Sequence, residues 1–347
     1  MNGSIRFPRR ALLAVTLTGA MIIACGQASS PTVGQSNNTE TPAGPGRSTA
    51  TSASIESPTD PGTPSSTPAD RRPPQDADLG GIAEQDGYFL QVLTVLDPVV
   101  TDGYVTPGKR PVEVEVIVGN IAAEPASPAD SNLIGSDGQE FIEWITWAHP
   151  LLSGYAVDPG QRERGWIGFE VPENAQIEGL RLDIGTAELY SGLIPQPGAV
   201  LASLPPRTIP QYPTLGEDVA LDGYTLTALR VVDPAQAVPG FFSSPSNIFV
   251  AKEGMRLVAV ESIIENVSGR ELFVYPGACL LIDTEGFIYM SASGAVENEM
   301  NSLSLTPGAR TSGLIAFPIP PTAEVEAIRC EIGSFGVITI LVTGLTK

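Results

Sequence analysis

The chain is poor in the residues that do most protein chemistry. It has one histidine, His149, and three cysteines, Cys25, Cys279 and Cys330. One imidazole and two thiols far from it exclude an ordinary zinc site, which needs four closely spaced nitrogen or sulfur ligands. No G-x-S-x-G elbow occurs, so a serine triad would have to be built around His149 without its usual nucleophile signature. No D-x-D-x-D-G calcium loop occurs either. Basic residues are scarce: 19 Lys and Arg stand against 39 Asp and Glu, a net charge of −20. That balance excludes the basic footprint nucleic-acid binding requires and opposes lying flat on anionic lipid. Aromatics make up only 6% of the chain. Long hydrophobic runs are missing beyond residues 11–23, and 13 residues are too few for a permanent bilayer span.

That short run has a role. Arg6, Arg9 and Arg10 precede it, and Ile22-Ile23-Ala24-Cys25 closes it. A charged start, a short apolar stretch and a small residue before cysteine spell a bacterial lipoprotein export signal, residues 1–24. The expectation is cleavage before Cys25 and acylation of its thiol, usually also of the freed amine. Two or more chains anchor a protein to a membrane stably. Residues 26–76 contain no aromatic, and Ser, Thr and Pro fill 26 of these 51 positions. Such a segment cannot bury enough apolar surface to offset its ordering entropy. Residues 25–78 are expected to form a disordered tether spanning roughly 40 Å. The protein is thereby placed outside the cytoplasm, lipid-anchored in the cell envelope.

The remainder is duplicated. Asp86-Gly87-Tyr88 to Asp97-Pro98 returns 136 positions later as Asp222-Gly223-Tyr224 to Asp233-Pro234. Val112–Asn120 aligns with Val258–Asn266, and Asp137–Phe141 with Asp283–Phe287, both at an offset of 146. Pro159-Gly160, Gly165, Phe169 and Pro172 align with Pro307-Gly308, Gly313, Phe317 and Pro320 at 148. A repeat this long means two domains, 79–190 and 215–347, with a proline-rich linker at 191–214. The acid excess is larger in the first, −13 over 79–200 against −7 over 201–347.

Each copy reads as strands. Val112, Val114, Val116 and Val118 alternate with Glu113, Glu115 and Ile117, the period of a half-buried strand. Leu180–Ile184 and Ile328–Ile332 alternate as well, and Asp-Pro, Pro-Gly and Asp-Gly pairs punctuate them. Several short strands per copy predict an all-β chain of two tandem immunoglobulin-like antiparallel β-sandwiches. The order of these signals resembles the bacterial domain-of-unknown-function family 4352: Gly-Tyr-x-Leu, a Val-rich strand ending in Asn, an Asp/Gly hairpin, then Pro-Gly…Gly-x-x-x-Phe-x-x-Pro. The resemblance covers 80–190 and 215–335 and implies secreted sandwiches, often on a lipoprotein tether, with no catalytic residues to carry over.

Candidate residues are weighed on that frame. His149 lacks a partner in the second copy and is read as a turn residue. Trp144, Trp147, Tyr155 and Trp166 concentrate aromatics in the first copy; packing is the favoured reading over a binding patch. Asp97, Asp233, Asp137 and Asp283 are read as turn caps, and Asn120 and Asn266 as strand ends. Phe241-Phe242 lies on an insertion the first copy lacks, and partial exposure and partner binding are expected there. Cys279 and Cys330 are expected to form a disulfide, because export permits it and both fall on inward strand faces. Their equivalents at the stated offsets, Leu133 and Leu182, suggest two neighbouring core positions. Two separate buried thiols are the alternative.

No cofactor is implied. The leading reading is a non-enzymatic envelope lipoprotein that binds an unknown protein, peptide or glycan partner or acts structurally. The alternative is an extracytoplasmic enzyme or ligand-binding protein with a site between the copies. A deep cleft lined with polar residues from both copies would favour the latter. Two separate, fully packed sandwiches would favour the former.

Overall fold

The computed structural model describes residues 77–101, 103–146, 149–194, 200–207, 211–221, 223–243, 254–331 and 337–342. Cys25, the signal, the tether up to residue 76, Trp147 and Asp222 lie outside the described residues.

Both copies are antiparallel β-sandwiches, and the described residues contain no α-helix. The first comprises β1 (Ile82–Gln85), β2 (Tyr88–Leu96), β3 (Lys109–Asn120), β4 (Pro128–Gly135), β5 (Glu140–Ile142), β6 (Arg162–Pro172), β7 (Ile177–Ile184) and β8 (Ala187–Gly192). Its sheets run β1-β2-β3-β6 and β5-β4-β7-β8. Leu90, Val114, Val116 and Phe169 of one sheet and Leu133, Leu180, Leu182 and Leu189 of the other share one buried core. Ser191 and Gly192 belong to β8, so the linker begins later than the composition suggests. No helix among the described residues is long and apolar enough to cross a membrane.

The second copy repeats this plan. Its strands are β9 (Val219–Leu221), β10 (Tyr224–Val232), β11 (Arg256–Asn266), β12 (Leu272–Val274), β13 (Cys279–Asp283), β14 (Ile288–Met290), β15 (Leu303–Leu305), β16 (Arg310–Ile319), β17 (Val325–Glu331) and β18 (Val337–Leu341). The main sheets, β9-β10-β11-β16 and β14-β13-β17-β18, follow the same order as those of the first copy.

The repeated sequence features are local instructions for this fold. Asp86 and Gly87 both have positive φ, 53° and 80°, in the two-residue turn that joins Gln85 to its partner Tyr88. Asp-Gly is the favoured pair for that turn because both positions must be left-handed. Each copy carries a bulge at the same place, between Val92 and Thr94 and between Ala228 and Arg230. The aspartates before the cis prolines anchor an arginine of the next strand: Asp97 pairs with Arg110 at 2.5 Å, and Asp233 pairs with Arg256. Arg110 and Arg256 also donate to the carbonyls of Ala175 and Ala323, which stand at equivalent positions.

Two expectations change at this level. β3 is not half-buried: Glu113 and Ile117 are buried on its outer face. Residues 143–146 and 149–152 lie across that face, where Glu143 pairs with Phe169 and Leu151 with Trp166. The crossing is why Gly165 is needed. A Cβ there would meet the Leu152 Cα at 2.6 Å, and one on Gly313 would meet the Met300 Cα at 2.7 Å.

The hairpin alignment also shifts. The amide of Gly138 bonds the carbonyl of Gly135 and the amide of Gly286 that of Asp283, a spacing of 148 between copies. Asp137 therefore corresponds to Glu285 rather than Asp283. Cys279 and Cys330 are directly opposite on β13 and β17 and are bonded, Cα–Cα 4.0 Å. Their counterparts are the opposed pair Ser131 and Leu182, not two leucines. A serine and a leucine in one copy stand where the other copy has its disulfide.

Candidate functional site

The two sandwiches meet through a dense polar junction. The Arg162 amide donates to the Gly286 carbonyl at 2.8 Å, and the Arg162 guanidinium reaches the Pro205 carbonyl. Arg329 of β17 crosses to the first copy, pairing with Asp158 at 2.8 Å and donating to the Ala156 carbonyl at 3.0 Å. Arg207, from the connecting segment, pairs with buried Glu326 at 2.8 Å and donates to the Asp283 and Thr284 carbonyls. Tyr155 donates to the Gly277 carbonyl at 3.2 Å and packs on Leu280, Ile282, Ile288 and Ala327. Burial raises the Asp158 carboxyl above its ordinary range although Arg329 pulls it back. Burial, then the neighbouring Arg207 charge, lowers Arg162.

Beside this junction lies a cleft of about 640 Å³. One wall comes from the first copy: Pro150, Leu151 and Ser153 of the crossing segment, then Glu163 to Trp166 of β6, with Glu115 of β3. The other wall comes from the β13–β14 hairpin, Met255, and residues 318–324 around the start of β17. The size falls in the range of small-ligand sites, and the lining mixes apolar and polar groups as such sites do.

The charges in the lining have defined roles. Arg164 is held by Glu115 at 2.8 Å. The Glu163 carboxylate accepts from the Ser153 amide. Asp283 Oδ1 accepts the amides of Glu285 and Phe287, and its Oδ2 accepts the Tyr289 hydroxyl at 2.6 Å. Burial, then the bond and charge of Asp283, push the Tyr289 phenol far above its ordinary value, so it stays protonated. Glu285 and Glu324 are exposed on the second wall, joined through the bond from the Thr284 amide to the Glu324 carbonyl.

His149 sits at the edge of this region but does not line the cleft. Its Nδ1 lies 2.5 Å from Oε2 of Glu113, whose side chain is fully buried, and its ring stacks on Trp166 at 4.1 Å. Among the described residues no hydroxyl or thiol hydrogen-bonds to His149. The pair fastens the crossing segment onto β3 and β6 and sets the indole that enters the cleft. Among the described residues no three His, Cys, Asp or Glu side chains cluster to hold a metal ion.

The other sequence candidates scatter. Trp144 is exposed, Tyr155 is at the junction and Trp166 is in the cleft. Phe241 is a correction: it is 4% exposed, not a displayed loop aromatic. It packs with Leu257, Ala259, Ala295 and Ala316, edge-on to the partly buried Phe242. The reason is that β11 and β16 present small or apolar residues on their outer face, and residues 235–242 pack over them. Neither phenylalanine lines the cleft. Glu285, Glu324 and Tyr289 were missed, because only the folded hairpin brings them to one wall.

No protein-family model matches the chain, and none of the curated proteins does. Solved structures do. The yjhA protein of Bacillus subtilis is 11% identical, over 38% of this chain and 98% of that one, with a TM-score of 0.29. The secreted protein MPT63 of Mycobacterium tuberculosis is 20% identical, over 35% and 98%, with a TM-score of 0.29. An uncharacterised β-sandwich protein of Clostridium difficile 630 is 13% identical, over 40% and 100%, with a TM-score of 0.23.

Proposed function

We propose that this chain is an extracytoplasmic, lipid-anchored, non-enzymatic binding protein that takes its ligand in the cleft between its two sandwiches. The cleft is the observation that carries the reading. It draws polar residues from both copies, the feature that separates a binding site between domains from two independent display modules. The junction beside it supports a preformed site, because Arg162, Arg207 and Arg329 fix the copies through bonds to backbone, to buried Glu326 and to part-buried Asp158. Preorganisation lowers the ordering cost of binding. The membership in family 4352 and the anchor on Cys25 belong to this proposal and rest on the sequence motifs. Mass spectrometry of the membrane fraction should give acylated Cys25 as the first residue; an unmodified, membrane-free mature chain would refute the anchor.

The cleft is tested by hydrogen exchange on the full mature protein, screened against small peptides, amines and oligosaccharides. A ligand of this site protects residues 150–166, 283–290 and 318–324 together. Protection confined to one sandwich, away from these segments, would sink the reading.

A further inference from the structure

We infer that the cleft selects a cationic ligand, an amine or guanidinium carried on an apolar stem, as in a lysine- or arginine-bearing peptide or a polyamine. The inference rests on the cleft being the binding site and adds the chemistry of what enters it.

The lining decides between ligand classes. An anion would need a cation to receive it. Arg164 is the one basic residue among the described lining residues, and Glu115 already holds it at 2.8 Å. A sugar would need side-chain amides, which supply paired donors and acceptors for hydroxyls. The described lining contains no Asn or Gln, and its hydroxyls are Ser153, Thr284, Thr322 and Tyr289. The Tyr289 hydroxyl is already given to Asp283.

A cation finds what it needs. Glu285 and Glu324 stand exposed on one wall; Glu285 lies in the field of Arg162, but no cation closes on either carboxylate in an ion pair among the described residues. The indole of Trp166 lines the opposite wall, with His149 stacked on it. Carboxylates in a concave site focus a negative potential and raise the local concentration of cations. The Trp166 indole adds cation–π attraction to a cation held against it. Met255 and Met290 line the same space and adapt to an aliphatic stem.

The test is calorimetric titration of the full mature chain with trilysine, spermidine, triglutamate and a neutral Gly-Ser-Gly peptide, with hydrogen exchange to locate each binder. Trilysine, spermidine or both should bind and protect both walls. Affinity should fall about fivefold in Glu285→Gln/Glu324→Gln, which is about 1 kcal/mol for the two exposed charges together. The control Glu84→Gln/Glu188→Gln removes the same charge away from the cleft and should leave affinity unchanged. Equal losses in the two variants would mean diffuse attraction to an acidic protein and would overturn the inference. Triglutamate or the neutral peptide protecting both walls in preference to the amines would overturn the cationic class while leaving the cleft as the site. Amines that bind but protect neither wall would overturn both. Binding by trilysine but not spermidine would place the cation on a peptide, and the reverse would place it on a free polyamine.

Discussion

Asn120 and Asn266 make the same three bonds in their two copies. The Asn120 side-chain amide donates to the carbonyls of Glu124 and Val157, at 2.8 and 2.7 Å, while its oxygen accepts the Ala122 amide at 2.8 Å. Asn266 donates to Arg270 and Leu305, both at 2.8 Å, and accepts Ser268 at 2.9 Å. Both side chains are fully buried. Each closes the turn after its strand and ties it to a segment some 40 residues away, so neither is merely a strand end. Asn266→Ala takes a donor from the buried Leu305 carbonyl and the acceptor from the Ser268 amide, while the Arg270 carbonyl keeps the Ser268 hydroxyl, and should cost about 1–3 kcal/mol in urea unfolding. Asn266→Asp keeps the acceptor and loses both donors, and should recover only part of this. A change under ~0.5 kcal/mol for the alanine variant would show the bonds to be dispensable. The asparagine was visible in the repeat, but its distant partners were not, because side-chain bonds to backbone leave no periodic trace.

At the level of elements, the period-two stretches, the turn signals and the repeat were enough to give an antiparallel β-sandwich twice over, but not the order of the strands in each sheet. What escaped was the layer outside the sandwich. In the first copy the crossing segment carries His149 onto Glu113 and Trp166. In the second, Ala259 and Leu314 occupy the equivalent positions, and Phe241 packs over that face instead. One sheet therefore has a polar outer cover and its twin an apolar one. Alternation reports only whether one face is apolar. It cannot say that the other face is also covered, so Glu113 read as solvent-facing and Phe241 as a loop residue. The register slip has a similar origin. Asp137 and Asp283 match as letters, but the turn hydrogen bonds place Gly138 with Gly286. Short hairpins align by backbone geometry before they align by residue type.

The whole molecule depends on a junction that no sequence pattern marks, and so does the cleft beside it. Arg329 is the clearest case. In the sequence it is the polar residue of an alternating strand, yet only 3% of its side chain is exposed, and it reaches Asp158 and the Ala156 carbonyl of the other copy. Removing one partner of a buried pair usually costs about 3–5 kcal/mol, because the other charge is left behind. Asp158 keeps 16% of its side chain exposed, so the low end applies. Arg329→Met keeps the stem and removes the charge. Burial already raises the Asp158 carboxyl in the native protein, with Arg329 opposing it. In the variant burial acts without that opposition, and the folded-state pKa rises further. A carboxyl whose folded pKa is raised favours folding when protonated; that advantage is lost as pH climbs from the unfolded value, about 3.9, through the folded one. Arg329→Met should therefore be most destabilising at pH 7 and less so toward pH 5, measured by urea unfolding of the full chain at each pH. Adding Asp158→Asn removes the stranded charge and should both restore part of the stability and abolish the pH dependence. An equal cost at the two pH values, unchanged by Asp158→Asn, would mean that Arg329 acts only through packing within its own sheet.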